Sequence, residues 1–170
     1  TQGLILLTAT PMQVSPLEVW DLLHLLGLPP EWDADSFLKF FEHIALPAPS
    51  DAQLFNMAEL FKAAESMYGL VRQEEARRFA PKESNIATKK ILKALRESSS
   101  IPLRRLETAE RRAAVALMKA YSPLKRLISR HTRELLRRYH KAGKLQTRIA
   151  MRQVEDRLIT MTPQERVVYE

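Results

Sequence analysis

The chain has 170 residues, 45% of them hydrophobic and 28% charged, which is enough for one or two domains with a packed core. It contains no cysteine and only four glycines, which excludes disulfide frameworks and thiolate metal sites and argues against a turn-rich β-sandwich. Its net charge of +7 is uneven, with −6 in residues 1–80, +14 in residues 81–148 and −1 in residues 149–170.

The first predicted elements are a strand and a helix. Leu4–Leu7 is a continuous apolar run followed closely by prolines, which favours a buried parallel strand over a helix. Ser15, Pro16 and Glu18 form a capping-box pattern at N-cap, N1 and N3, so a helix is expected from there to Gly27. The first residues contain no basic segment, so they indicate a cut end rather than a signal peptide.

Two further helices are predicted in the acidic part of the chain. Asp35 or Ser36 is expected to cap a helix whose inner face carries aromatic and aliphatic side chains: Phe37, Phe40, Phe41 and Ile44. Ser50 is expected to start a longer helix, with Gly69 as a break and with a core-facing apolar stripe: Leu54, Met57, Ala58, Phe61, Ala64 and Met67. Trp20 and Trp32 are expected in the core rather than as base-stacking platforms.

The basic part predicts three more helices, over about 84–97, 102–120 and 122–142. The last has an apolar stripe at steps of three and four: Leu124, Ile128, His131, Leu135 and Tyr139. Four arginines lie two residues out of phase, about 200° around the helix axis: Arg126, Arg130, Arg133 and Arg137. A basic helical face of this kind favours a polyanion as partner. The alternative is a solvated surface that happens to be basic.

The composition changes again near the end of the chain. Residues 147–161 are rich in β-branched side chains and predict an extended segment, after which Thr162 and Pro163 start a helix that is cut off at Glu170. The predicted fold is mainly α: a helical insertion or bundle with a short N-terminal strand and a short extended segment near the C-terminus.

Residues Leu6 to Gln13, with the sequence L-L-T-A-T-P-M-Q, resemble motif III of the Swi/Snf-type DNA-dependent ATPases of the second helicase-like superfamily. Leu17-Glu18-Val19-Trp20 resembles the E-x-W core that follows this motif. Val14 departs from the pattern, because the family usually has Asn there, which puts a polar contact at that point in doubt.

Three later stretches resemble the same family in the expected order. They are the phenylalanine-rich helix at 37–41, the segment Arg130-His131-Thr132-Arg133 near the end of a helical insertion, and residues 159–170, similar to the entrance of the second RecA-like lobe. Within that family, the chain resembles the bacterial RapA-like branch or the phage-defence helicases. The resemblance implies four parts. Residues 1–27 would be the C-terminal edge of the first RecA-like α/β lobe, with the motif III strand and the following helix; 28–80 an acidic, aromatic-rich helical part; 81–146 a basic helical insertion; and 147–170 an extended linker and the entry to the second RecA-like lobe.

The resemblance also implies a role for each part. In the parent protein, motif III would couple the state of ATP to DNA binding through Thr8, Ala9, Thr10, Pro11 and Gln13. The phosphate loop, the acidic magnesium motif and the arginine-finger motif are all missing from this sequence, so the chain alone is not expected to be catalytic or to hold a cofactor. ATP and Mg²⁺ would serve the parent, which would be an ATP hydrolase.

Double-stranded DNA and the other lobes of the parent are the expected partners, with no membrane involved. Sequence-independent contacts to DNA phosphates are assigned to seven basic residues: Lys89, Lys90, Lys93, Arg126, Arg130, Arg133 and Arg137. No metal site is expected from the four scattered histidines. The expected location is the bacterial cytoplasm, near the nucleoid, or the nucleus of a eukaryote. The alternative function is a free-standing basic helical module that binds proteins or nucleic acid.

Overall fold

The structure, a computed structural model, describes residues 3–8, 11–12, 14–130, 132–147, 155 and 166. Helices dominate this part of the chain, which confirms the predicted mainly α fold. They are α1 (Pro16–Leu26), α2 (Ala34–Ile44), α3 (Asp51–Tyr68), α4 (Gln73–Arg77), α5 (Asn85–Arg96), α6 (Ile101–Arg104), α7 (Thr108–Ala120), α8 (Pro123–Leu127) and α9 (Arg133–Lys141).

Local capping explains where several helices begin. The Ser15 hydroxyl accepts from the Leu17 N–H at the start of α1, as expected, although the Glu18 carboxylate accepts from the Val14 N–H rather than from the cap residue. Ser50 and Gln53 form a full capping box at α3. The cap of α2 is Asp33, so the prediction of Asp35 or Ser36 is wrong: the Asp33 carboxylate accepts from the Ser36 N–H at 2.7 Å.

Two predicted long helices are each divided. The helix expected over 102–120 consists of α6 and α7, and the helix expected over 122–142 consists of α8 and α9. Ile128 ends α8 with extended backbone, at φ −104° and ψ 122°, and Thr132 caps α9 by accepting from the Leu135 N–H. The prediction of one continuous helix with a ladder of four arginines is therefore wrong.

The apolar run near the start of the chain forms no strand. Residues 3–8 have no regular secondary structure, and the side chains of Ile5 and Leu7 are 82% and 93% exposed. A strand needs a neighbouring strand to satisfy its N–H and C=O groups, and none of the described residues provides one. The prediction that this run is a buried strand is wrong in this structure.

The core combines aromatic side chains from the acidic part with aliphatic ones from the basic part. Trp32, Phe37 and Phe40 are buried together, and Phe61 of α3 belongs to the same cluster as Leu95 of α5. Trp32 donates through its indole Nε1 to the Leu60 carbonyl at 2.8 Å, so its one polar atom is satisfied. The helix α5 packs against α3, α4, α6 and α7 and is the centre of this arrangement.

The chain divides into two compact units, Thr1–Ser129 and Arg130–Glu170. The first contains α1 to α8 and the core, and the second contains α9. The extended segment predicted over 147–161 and the helix predicted from Thr162 lie almost entirely outside the described residues. Among the helices of the described part, none is long and apolar enough to cross a bilayer. The family-based division into four parts stays a prediction.

Candidate nucleic-acid interface

The helix α5 has one buried face and one basic face. Ser84 caps it by accepting from the Ala87 N–H, and its buried side chains are Thr88, Ile91, Leu92, Ala94 and Leu95. The opposite face is exposed and carries three of the predicted DNA-binding residues: Lys89, Lys90 and Lys93. The amphipathic pattern follows from the 3.6-residue period of the helix, because burying one face fixes which side chains point to water.

Lys90 forms an ion pair with Glu110 within the first unit. Its Nζ lies 2.6 Å from Glu110 Oε2 of α7, and that carboxylate also accepts from the Glu107 N–H at 2.9 Å. Burial of Glu110 acts to raise its pKa, but these two hydrogen bonds and the ammonium charge outweigh burial, so the pKa lies below its ordinary value. The Lys90–Glu110 pair therefore links α5 to α7 and leaves less positive charge for an external anion.

Lys89 and Lys93 form no ion pair with any residue in the described part of the chain. They are four residues apart on one helix, so their side chains are neighbours on the same exposed strip. This strip is the clearest unneutralised positive charge among the residues predicted to contact DNA in the first unit.

Arg126 points into the first unit rather than out to solvent. Its guanidinium donates to the Tyr68 carbonyl at 2.9 Å and to the Gly69 carbonyl at 3.2 Å, at the C-terminal end of α3. It also lies over the rings of Tyr68 and Tyr121, 5.9 and 5.4 Å from their centroids. These contacts cap α3 and hold α8 against it, so the predicted orientation of this arginine is corrected.

The other three arginines belong to the second unit. Arg130 and Arg133 are exposed, and Arg137 is half-buried on α9. Arg133 and Arg137 are one helical turn apart and share one strip of α9. His131, which the sequence placed on the apolar stripe, lies outside the described residues.

The residues of the motif III resemblance are only partly described. Thr8 is exposed and Pro11 is half-buried, whereas Ala9, Thr10 and Gln13 lie outside the described residues. Trp20, from the E-x-W element, packs against the core and donates through Nε1 to the Trp32 carbonyl at 2.8 Å. The described part thus places the Trp20 side chain but only Thr8 and Pro11 of the five predicted coupling residues.

No family model, curated protein or solved structure matches this chain. Within the described part, no group of three or more histidine, aspartate or glutamate side chains is placed to hold a metal ion.

Sequence reasoning missed one pair of exposed basic residues. Arg112 and Lys119 lie on the outer face of α7, seven residues and hence two helical turns apart. Their seven-residue spacing is the sequence signal that predicts a second basic strip, on one face of α7.

Proposed function

We propose that this chain is the coupling segment of a Swi/Snf-type DNA-dependent ATPase and binds the phosphate backbone of duplex DNA without regard to sequence. The observation that carries DNA binding is the exposed strip of Lys89 and Lys93 on α5, which no described carboxylate neutralises. One face of α5 is packed in the core, so the backbone that carries these lysines is already ordered. Lysines on such a helix lose less conformational entropy on binding phosphates than lysines on a flexible segment.

The link to a motor ATPase is supported by the sequence resemblance in residues 6–20 and 159–170. The exposure of Ile5 and Leu7 fits this proposal, because it leaves apolar side chains that can pack against another part of a larger parent protein. In the proposed role, the helices α2 to α8 form a rigid body that carries the lysine strip, and Arg130, Arg133 and Arg137 add phosphate contacts from the second unit.

The DNA proposal is tested by measuring the affinity of the 170-residue chain for a labelled duplex over a range of salt concentrations. Each phosphate contact contributes about 0.9 to the slope of log affinity against log salt. We expect Lys89→Ala/Lys93→Ala to weaken binding at low salt by about tenfold and to reduce the slope by roughly 2. Duplexes of different sequence should bind equally well.

Lys39→Ala/Lys125→Ala is the matched control, because it also removes two exposed lysines, from α2 and α8. It should leave the slope unchanged. If both double variants weaken binding equally, the strip has no special role and only the net charge matters. If Arg130→Ala/Arg133→Ala/Arg137→Ala leaves affinity at low salt intact, the second unit is not part of the interface.

The ATPase proposal has its own test in the coding sequence on either side of this chain. A phosphate-loop motif upstream and an arginine-finger motif downstream would support it, and a complete gene lacking both would contradict it. If the alternative of a protein-binding module holds instead, the chain should show no retention on duplex DNA at low salt.

A further inference from the structure

A groove on the first unit lies between α7 and the segment that follows α2. It has a volume of about 500 Å³, within the range usual for ligand-binding pockets. Its apolar lining includes Ile44 and Leu46 on one side and Val115 and Ala116 on the other. Arg112 and Lys119 flank this lining along α7, and none of the described residues that line the groove is acidic.

The groove wall is held in place by bonds within the fold. Arg111 of α7 lies 2.6 Å from an Asp51 carboxylate oxygen and donates to the Pro49 carbonyl at 3.3 Å. Pro47 and Pro49 further restrict the backbone of this wall. Because the wall is fixed before a ligand arrives, binding would cost little ordering of the protein.

The two flanking charges define what can occupy the groove. Arg112 and Lys119 are seven residues apart, so they are separated by about 10 Å along the axis of α7. A helix with carboxylates seven residues apart presents the same spacing, and aliphatic side chains one turn apart between them would fill the apolar floor. Duplex DNA offers phosphates at the surface but no aliphatic group to fill a groove.

We propose that this groove binds an acidic amphipathic helix of a partner protein, with aliphatic side chains in the floor and carboxylates on Arg112 and Lys119. This inference is independent of the proposed DNA interface, which uses α5. Asp51 does not oppose the charge of such a ligand strongly, because it pairs with Arg111 at 2.6 Å and with Arg104 at 3.7 Å.

The probe is a fluorescein-labelled helical peptide of about 15 residues. It carries two glutamates seven residues apart and, between them, leucines one helical turn apart. Its binding to the 170-residue chain is followed by fluorescence anisotropy. We expect saturable binding with a Kd below about 100 µM. Peptides with Leu→Ser or Glu→Gln throughout should each bind at least about tenfold more weakly, since the site needs both features.

Arg112→Glu/Lys119→Glu should weaken binding of the acidic peptide by about tenfold or more, because both contacts become repulsive. Ala116→Phe should weaken it comparably by filling the groove without a change in charge. Lys89→Glu/Lys93→Glu on α5 is the matched control and should leave peptide affinity within about twofold. Thermal unfolding of each variant checks that the fold is retained.

Several results would overturn the proposal. These are no saturation by the peptide, equal weakening by the α5 control, and equal binding of the Leu→Ser peptide, which would mean charge attraction alone. If duplex DNA competes with the peptide and Ala116→Phe abolishes that DNA binding, the groove is a nucleic-acid site instead. If light scattering shows a dimer and Ala116→Phe abolishes the dimer, the groove binds a second copy of this chain instead.

Discussion

Glu65 is the most deeply buried carboxylate of the described residues, with 3% of its surface exposed. Arg96 donates to both of its oxygens, at 2.7 and 2.8 Å, and also to the Val71 carbonyl, while the Val71 N–H donates to Glu65. This bidentate pair joins the end of α3 to the end of α5 and fixes the turn between α3 and α4.

Arg96→Met should lower the free energy of unfolding by about 3–5 kcal/mol, because it leaves a buried carboxylate without its cation. Chemical denaturation measures the change. Arg72→Ala is the control, since Arg72 is 77% exposed in its pair with Glu75, and it should change stability much less than Arg96→Met does. Equal effects from the two variants would mean that burial does not determine how much the Arg96–Glu65 pair contributes to stability.

Glu110 makes the stability of the first unit dependent on pH. Its pKa is lowered in the fold from the ordinary value of 4.5, so its contribution is complete above about pH 4.5 and is lost as the pH falls through the folded pKa. Lys90→Met removes the ammonium that favours the ionised form. The variant should be less stable at neutral pH by about 1 kcal/mol, a modest value because Lys90 is 42% exposed.

The stability difference between the wild type and Lys90→Met should therefore shrink as the solution is acidified below pH 4.5. Denaturation curves at a series of pH values follow it. Lys89→Met removes the adjacent exposed lysine and should give a small difference that does not change with pH. A Lys90→Met difference that stays constant on acidification would show that Glu110 is not the titrating partner.

At the scale of elements, the starts of α1 and α3 were predictable, whereas the cap of α2 and the interruptions of the later helices were not. Ser15 and Ser50 cap helices as the sequence indicates, because an N-cap bond joins residues only two or three positions apart. The break at 105–107 consists of good helix formers, Arg105, Leu106 and Glu107, so it reflects tertiary packing, since Leu106 is buried outside any helix. The helix α8 ends where Ile128 packs against the core in extended backbone.

The same distinction applies to the candidate interface. The basic strip of α5 could be predicted, because an amphipathic period reveals which lysines face water. The partners of Lys90 and Arg126 could not, because Glu110 is 20 residues from the first and the Tyr68 carbonyl 58 residues from the second. Whether a cation is available to a ligand therefore depends on contacts that local sequence does not encode.

The N-cap residue Thr132 determines where α9 begins, and its contribution can be tested. Its hydroxyl accepts from the Leu135 N–H at 3.2 Å, and α9 has only nine residues, too few for a stable helix by propensity alone. Thr132→Ala should destabilise α9 by about 1 kcal/mol, seen as faster amide hydrogen exchange within α9. Thr132→Asp should preserve protection, whereas equal exchange in both variants would show that the cap does not stabilise this helix.

At the scale of the whole molecule, the acidic and basic parts of the first unit depend on one core. Buried side chains of α5 belong to the same cluster as those of α2 and α3, and α5 contacts both α3 and α4. A change in charge along the sequence therefore does not coincide with a division of the core.

We expect a chain of residues 81–147 alone to lack a cooperative thermal transition, because Ile91 and Leu95 would lose the apolar surface supplied by α3 and α4. Residues 1–129 should unfold in one transition. Circular dichroism of the two chains checks this. A sharp melting transition in 81–147 would contradict a shared core and would favour an independently folded basic insertion.

The placement of the two tryptophans provides a selective optical signal. Trp20 and Trp32 are the only tryptophans in the sequence, and both lie in the first unit, joined by the hydrogen bond from one indole to the backbone carbonyl of the other. Trp32 is 1% exposed, so its emission should shift to longer wavelength when the core opens. Tryptophan fluorescence therefore reports unfolding of Thr1–Ser129 separately, and a probe attached near α9 would give the second unit its own signal.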